Sequence, residues 1–449
     1  MDKRIDFTTG KIVGPLLRFV GPVLFALFLQ VMYGAVDLMI VGRFATAADV
    51  SAVSTGSQIM MTVTGLISSL AMGMTILIGE KIGQRRPEEG GRIVGSGILL
   101  FLVIGVLAAG VMIACGPGIA GIMQAPEEAF SATVAYIRIC GGGAVVIIAY
   151  NLIGSIFRGI GDSRTPLVTV AIACVCNIAG DLSLVAGFHL GAAGAAAATV
   201  GAQLISVVIS LFLIRRNELP FRVTRRTIRW DGSVIKRILL LGTPIAIQDV
   251  LVGISFLVLL AIVNSLGLIF SAGVGVAEKV CGFIMLVPSS FMQSMSAFVA
   301  QNRGAGKPGR AVRGLWCAIG VSTAFGVLMF FLAFFRGDLL AGFFSKDGEV
   351  VLAAAEYLKA YGIDCLLTCF LFCFIGFFNG MEYTRFVMVQ GIVGAFLVRV
   401  PVAFFMSRQV PVSLFHIGLA TPCSTVVQIT MCFLCFAFWR KKQRENQAL

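Results

Sequence analysis

The stretch PLVTVAIACVCNIAGDLSL, residues 166–184, decides the fold. As an α-helix, a run of this length crosses most of the roughly 30 Å of bilayer hydrocarbon, so it reads as a membrane span. Within it stand Asn177 and Asp181, one helical turn apart and therefore on one face. A charged side chain at the bilayer centre costs about 2.5–3.5 kcal/mol on insertion scales, and such groups face a protein interior or a watery path. Two readings follow. A carboxylate with neutral oxygens beside it can hold Na⁺ or a proton, which predicts ion coupling. The same groups can instead hydrogen-bond across a bundle and act as glue between helices.

The rest of the chain has the same character. Of its 449 residues 58% are hydrophobic and only 13% charged, with a mean hydropathy of +0.96, whereas a soluble domain is about one-quarter charged. Apolar segments at 15–41, 52–79, 93–115, 131–157, 166–186, 191–214, 238–263, 270–299, 311–335, 350–378, 384–406 and 412–438 predict an all-α membrane protein with twelve transmembrane helices. Their length argues against the short alternating strands of an outer-membrane barrel. The start Met1-Asp2-Lys3-Arg4 leads into a long first span with no small-residue cleavage pattern, so this span is expected to be retained.

The net charge of +13 follows the loops. Lys3, Arg4, Lys11 and Arg18, then Lys81, Arg85, Arg86 and Arg92, then Arg158 and Arg164 fall on one side. The linker residues Arg215, Arg216, Arg222, Arg225, Arg226, Arg229, Lys236 and Arg237 join them, as do Arg303, Lys307, Arg310, Arg313, Arg385, Arg440, Lys441, Lys442 and Arg444. The opposite loops hold Arg43, Arg336, Lys346 and Arg408. The positive-inside rule then predicts a multi-pass protein of the cell (inner) membrane with both termini cytoplasmic. On this reading the basicity is topology, with no nucleic-acid partner. The cysteines lie in apolar segments and read as core filler, including Cys365, Cys369, Cys373 and the Cys432-x-x-Cys435 pair. His189 and His416 stand alone at helix ends and suggest no metal site.

A shift of 221 positions superposes landmarks: Gly83 and Pro87 on Gly304 and Pro308, Arg92 on Arg313, Tyr136 on Tyr357, and Phe157, Gly159 and Arg164 on Phe378, Gly380 and Arg385. Two six-helix lobes, 1–214 and 237–449, joined by a basic cytoplasmic linker at 215–236, are therefore expected, related by an axis along the membrane normal. Under the same shift Asn151, Asn177 and Asp181 fall on Phe372, Val398 and Val402, so the polar cluster belongs to the first half. This asymmetry favours an ion site over generic glue.

Asp37 in the first span is the other deeply placed carboxylate of that half. Pro22 removes a helix hydrogen bond in the same span and is a candidate hinge. Two neighbouring carboxylates in low dielectric cannot both stay charged without a cation, so a proton, Na⁺ or a cationic substrate would compete for them. Asn151 and Thr199 could add neutral oxygens, and Na⁺ is a candidate ligand of Asp37, Asn177 and Asp181. Asp249, Glu278, Asp364 and Arg399 are cavity or interlobe candidates of the second half, and Lys279, adjacent to Glu278, must find a different partner.

With these residues in place the sequence resembles the multidrug and toxic compound extrusion family over nearly its whole length. The resemblance rests on Pro22 with Val36-Asp37 and Val41-Gly42, on the turn Phe157-Arg158-Gly159-x-Gly161-Asp162-x-Arg164-Thr165-Pro166, and on Gly194 through Thr199. In the second half it rests on Pro244-x-x-x-Gln248, Ala300-Gln301-Asn302-x-Gly304-Ala305-Gly306 and Arg399-Val400-Pro401. It implies an antiporter that exports amphipathic, often cationic organic compounds in exchange for Na⁺ or H⁺. In the DinF-like branch, the cation site of the first lobe is built from residues matching Asp37, Asn151, Asn177, Asp181 and Thr199. Another branch uses acids of the second lobe, for which Asp249 and Asp364 are the nearest matches. No cofactor beyond the coupling ion is expected, and the partners are the bilayer and a small organic substrate, with the protein a monomer. An enzyme is disfavoured because His-Glu-x-x-His and Gly-x-Ser-x-Gly are missing, and Gly304-x-Gly306-Lys307 continues with Pro308 where a phosphate loop needs Ser or Thr. A flippase for a lipid-linked precursor is the alternative, although that function favours a cationic cavity.

Overall fold

A computed structural model describes residues 4–216, 219–221, 223–224 and 226–448. Met1, Asp2 and Lys3 at the start, and Arg222 and Arg225 of the basic linker, lie outside the described residues. Helices account for all twelve expected spans. In chain order they are α1 (Val13–Phe44), α2 (Ala47–Gly83), α3 (Pro87–Ala114), α4 (Glu127–Gly142 with Ala144–Ile160), α5 (Arg164–Gly187) and α6 (Gly191–Arg216). The second set is α7 (Gly232–Asn264), α8 (Leu268–Gly304), α9 (Pro308–Phe335), α10 (Gly348–Gly380), α11 (Thr384–Ser407) and α12 (Leu414–Glu445). α4 counts as one span bent by 55° at Gly143, where consecutive glycines weaken the helix and a Cβ would run into Val200 of α6.

Local chemistry sets the helix ends. Thr46 and Asp49 form a reciprocal capping box at the start of α2. Asp49 also accepts the Ala192 N–H at 3.0 Å, so one carboxylate ties the start of α2 to the start of α6. The α4–α5 turn explains the motif noted above. Gly161 takes φ +86 to end α4, and Asp162 Oδ1 accepts the N–H groups of Arg164 and Thr165 at 2.9 and 3.0 Å to start α5. α1 runs unbroken through Pro22.

The chain divides into two compact units. Unit 1 comprises Met1–Gly10, Leu17–Ala246 and Ala300–Lys307, and unit 2 comprises Lys11–Leu16, Ile247–Val299 and Pro308–Leu449. α2 forms the centre of unit 1 and α10 that of unit 2: 61% and 72% of their apolar windows are buried, against 17–44% for the other unbent spans. Residues 300–307 join unit 1 because the ends of α2 and α8 cross without side chains between them. A Cβ on Gly83 would overlap the Gln301 carbonyl, and one on Gly304 would overlap the Glu80 carbonyl.

The internal repeat is visible in packing inside each unit. A Cβ on Gly159 would meet the Thr75 carbonyl and Ile78, and a Cβ on Gly380 would meet the Ser296 carbonyl and Val299. All three pairs of positions are 221 residues apart.

The linker packs on α3 through polar contacts. Arg92 donates to Asp231 at 2.6 Å and Ser96 to the Arg229 carbonyl at 3.0 Å. Hydrogen bonds from Ser233, with Arg92 beside it, hold the Asp231 carboxyl well below the usual carboxylate range. A depressed acid contributes stability that is fully present above its ordinary value and is lost as pH falls toward its folded value. Linker docking is therefore expected to survive at pH 5 and to loosen only in stronger acid. Limited proteolysis across a pH series checks this, and cleavage rising near neutral pH would contradict it.

Candidate functional site

The polar residues of unit 1 come as pairs one helical turn apart on four helices: Tyr33 and Asp37 on α1, Tyr136 and Cys140 on α4, Asn177 and Asp181 on α5, Thr199 and Gln203 on α6. Such spacing points both members of each pair to one side of their helix. Asp37 is 5% exposed, Asn177 2% and Asp181 fully buried. Asp37 acts electrostatically on Asp181, Tyr33, Tyr136 and Cys140.

Asn177 Nδ2 donates to Thr199 Oγ1 at 3.4 Å, a long bond. It directs the amide nitrogen toward Thr199 of α6 and leaves the Asn177 side-chain oxygen without a donor among the described residues. α5 and α6 approach closely enough for this because Gly180 faces Ala198, where a Cβ would come within 2.9 Å. Gln203 lies beside Tyr33. Asn151 is half-buried on the second arm of α4. Its Nδ2 donates to the Ile147 carbonyl at 2.8 Å, and its Oδ1 accepts from Ser68 of α2 at 2.9 Å.

Asp37 Oδ1, Asn177 Oδ1 and both carboxylate oxygens of Asp181 are buried and meet no hydrogen-bond donor among the described residues. Buried acceptors left so are costly, and two carboxylates in low dielectric repel each other. A bound cation or protons would relieve both penalties. The donor set is two carboxylates and an amide, so a singly charged ion balances it when one of the two acids holds a proton. Among the described residues no group of three or more His, Cys, Asp or Glu could hold a metal ion.

Sequence reasoning missed Ser68, Tyr33, Tyr136 and Gln203. The signal for the last three was available as polar side chains at four-residue spacing in apolar helices. Ser68 carries no such mark. Ser68→Ala would leave Asn151 Oδ1 without its donor. It is expected to cost about 0.6 kcal/mol, the average for hydrogen bonds between membrane helices. The matching readout is a two- to threefold rise in the cation concentration that half-saturates export, with Ser68→Thr restoring it.

Unit 2 gathers a different set. Arg399 of α11 is 5% exposed, donates from Nη1 to Ser255 Oγ at 2.8 Å, and lies 4.1 Å from the centre of the Phe256 ring. Asp364, 1% exposed, and half-buried Glu278 act on it electrostatically, as do Tyr357 and Tyr361. Asp249 is exposed on α7, and Lys279 is exposed next to Glu278.

One register needs correction. Residues Val393–Arg399 of α11 form a π-helical turn, which holds one residue more than the α-helical course. From its last residue, Arg399, the repeat spacing becomes 222, which pairs Asn177 with Arg399 in place of Val398, and Asp181 with Ala403 in place of Val402. α5 carries its own π-turn later, at Leu182–Gly187, directly after Asp181.

The sequence model of the MatE family matches this chain twice, at residues 22–183 and 244–405, together well over half its length. The chain is 25% identical to the probable multidrug resistance protein YoeA of Bacillus subtilis, covering 95% of this chain and 94% of that protein. It is 24% identical to the multidrug export protein MepA of Staphylococcus saprophyticus, over 89% and 88% of the two chains. Its fold matches a crystal structure of MATE in complex with MaL6 with a TM-score of 0.92 at 18% identity, over 99% of this chain and all of that one. An all-helical chain of twelve spans, built as two repeats that each match the family, is thus a multi-pass membrane transporter belonging to the MatE, or multidrug and toxic compound extrusion, family.

Proposed function

We propose that the protein is a secondary antiporter that exports amphipathic organic cations in exchange for Na⁺ or H⁺, coupled at Asp37, Asn177 and Asp181 with Asn151 and Thr199 in support. One observation carries this reading: four buried acceptor oxygens of Asp37, Asn177 and Asp181 meet no donor among the described residues. Without a cation the site holds unpaired negative charge in low dielectric, a state disfavoured for movement across the bilayer. An inward-moving ion, with a proton on the second acid, neutralises it. An organic cation and the ion compete for the same charge, which links the exit of one to the entry of the other.

Residues 1–214 and 237–449 act as the two lobes of an alternating-access cycle, with 215–236 as the cytoplasmic linker and both termini cytoplasmic. Pro22 serves as the hinge of α1, since it frees a backbone carbonyl within a long helix. The protein works as a monomer in the cell membrane, and no step calls for a cofactor or for covalent catalysis. The names of its relatives, which include multidrug export proteins, support the substrate class.

The test is reconstitution in liposomes, following efflux of a fluorescent organic cation under an imposed Na⁺ gradient and then a pH gradient. Transport driven by one gradient supports antiport and names the ion. Transport under neither contradicts this reading and leaves a substrate outside the drug class or the flippase.

A further inference from the structure

Arg399 has no part in the coupling mechanism above, yet it is a buried charge within an apolar span, where such a group is costly and normally functional. Its surroundings suit a cation: the Ser255 hydroxyl at 2.8 Å and the face of Phe256 at 4.1 Å, with Asp364 and Glu278 acting on it electrostatically. The repeat places it more sharply. The two MatE matches are offset by 222 residues at both ends, and the π-turn at Val393–Arg399 supplies the added residue relative to the 221-residue spacing of the earlier landmarks. Arg399 therefore stands in the second repeat where Asn177 stands in the first, and its partner Ser255 stands where Tyr33 stands.

We propose that the guanidinium of Arg399 is a resident cation, filling in the second repeat the place that the coupling ion takes beside Asn177 in the first, so that the second lobe exchanges no ion. This rests on the coupling site proposed for unit 1. An arginine stays protonated in proteins and cannot leave its helix. Buried Asp364 lies in its field, and a fixed positive charge in the same low-dielectric space opposes entry of a further cation. Glu278 is half-buried, so its charge is partly balanced by solvent. The two halves of the chain would then share an architecture for handling a cation while using it differently, one exchanging the ion and the other carrying it covalently.

The experiment counts exchangeable cations on purified full-length protein, using equilibrium binding of radioactive sodium together with proton uptake in the same sample. The expected count is about one per chain for the wild type, lost in Asp181→Asn. Arg399→Gln should raise it to about two, Arg399→Gln with Asp364→Asn should return it to about one, and Arg399→Lys should leave it unchanged. An unchanged count in Arg399→Gln overturns the proposal. So does a wild-type count of about two with one lost in Asp364→Asn, which decides the matter even if Arg399→Gln fails to fold. If Asp181→Asn keeps the wild-type count, the coupling site in unit 1 fails instead, and the Arg399 arm is still read separately.

Discussion

Asp181→Asn should abolish gradient-driven export, by about 100-fold or more in initial rate, a loss near the upper end of typical coupling energies, while the protein still inserts in the membrane. The substitution keeps the shape of the side chain and removes the charge that attracts a cation. Both Asp181 oxygens are buried and meet no donor among the described residues, so no existing hydrogen bond is broken, and lost activity reports the ion and not the fold. Asp37→Asn should behave alike, because Asp37 and Asp181 act on each other. The double variant should then be little worse than either single one, as expected of groups working as a unit. Efflux from liposomes, paired with the amount of folded protein inserted in the membrane, checks all three. Export retained in both single variants would remove the assigned coupling site.

Gly83→Ala and Gly304→Ala should each destabilise unit 1 by about 3 kcal/mol, the upper end of the usual range for overpacking. The reason is specific to these positions. A single Cβ on Gly83 would overlap the Gln301 carbonyl, and one on Gly304 the Glu80 carbonyl. A backbone oxygen inside a helix cannot rotate away as a side-chain tip can, so the ends of α2 and α8 would have to separate. Gly201 of α6 is the control, since a Cβ there meets nothing within 4 Å. Thermal unfolding in detergent should give a clear drop for the first two variants and none for Gly201→Ala. Unchanged melting in Gly83→Ala would show that the crossing is looser than described.

Much of the fold was legible because the strongest constraint on it runs along the chain. A helix that crosses hydrocarbon needs some twenty apolar residues, and each predicted segment, from 15–41 to 412–438, overlaps one of the helices α1–α12. The repeat was legible from small residues that set backbone distances, such as Gly159 and Gly380. The buried acids of unit 1 stood out against their apolar background.

What escaped was whatever depends on one helix facing another. Ser68 looks like any serine in a span until α2 and α4 are packed and its hydroxyl meets Asn151. The pairing of Asn177 with Arg399 was hidden by a π-turn, since one additional residue moves every later position by one without altering hydropathy. Asp249 and Asp364 look equivalent as intramembrane acids, yet one is exposed and the other 1% exposed. Exposure of a single position in an apolar helix depends on which face packs, and α7 and α10 are too uniformly apolar for the pattern to reveal it.

Exchange of substrate and cation at the Asp37–Asp181 centre has its sharpest test in the cation flux itself. Proteoliposomes loaded with a cation-sensitive dye and given an outward gradient of organic cation, with no imposed ion gradient, should show substrate-driven Na⁺ or H⁺ movement in the opposite direction for the wild type and none for Asp181→Asn. Equal cation flux in wild type and variant would contradict exchange at this centre.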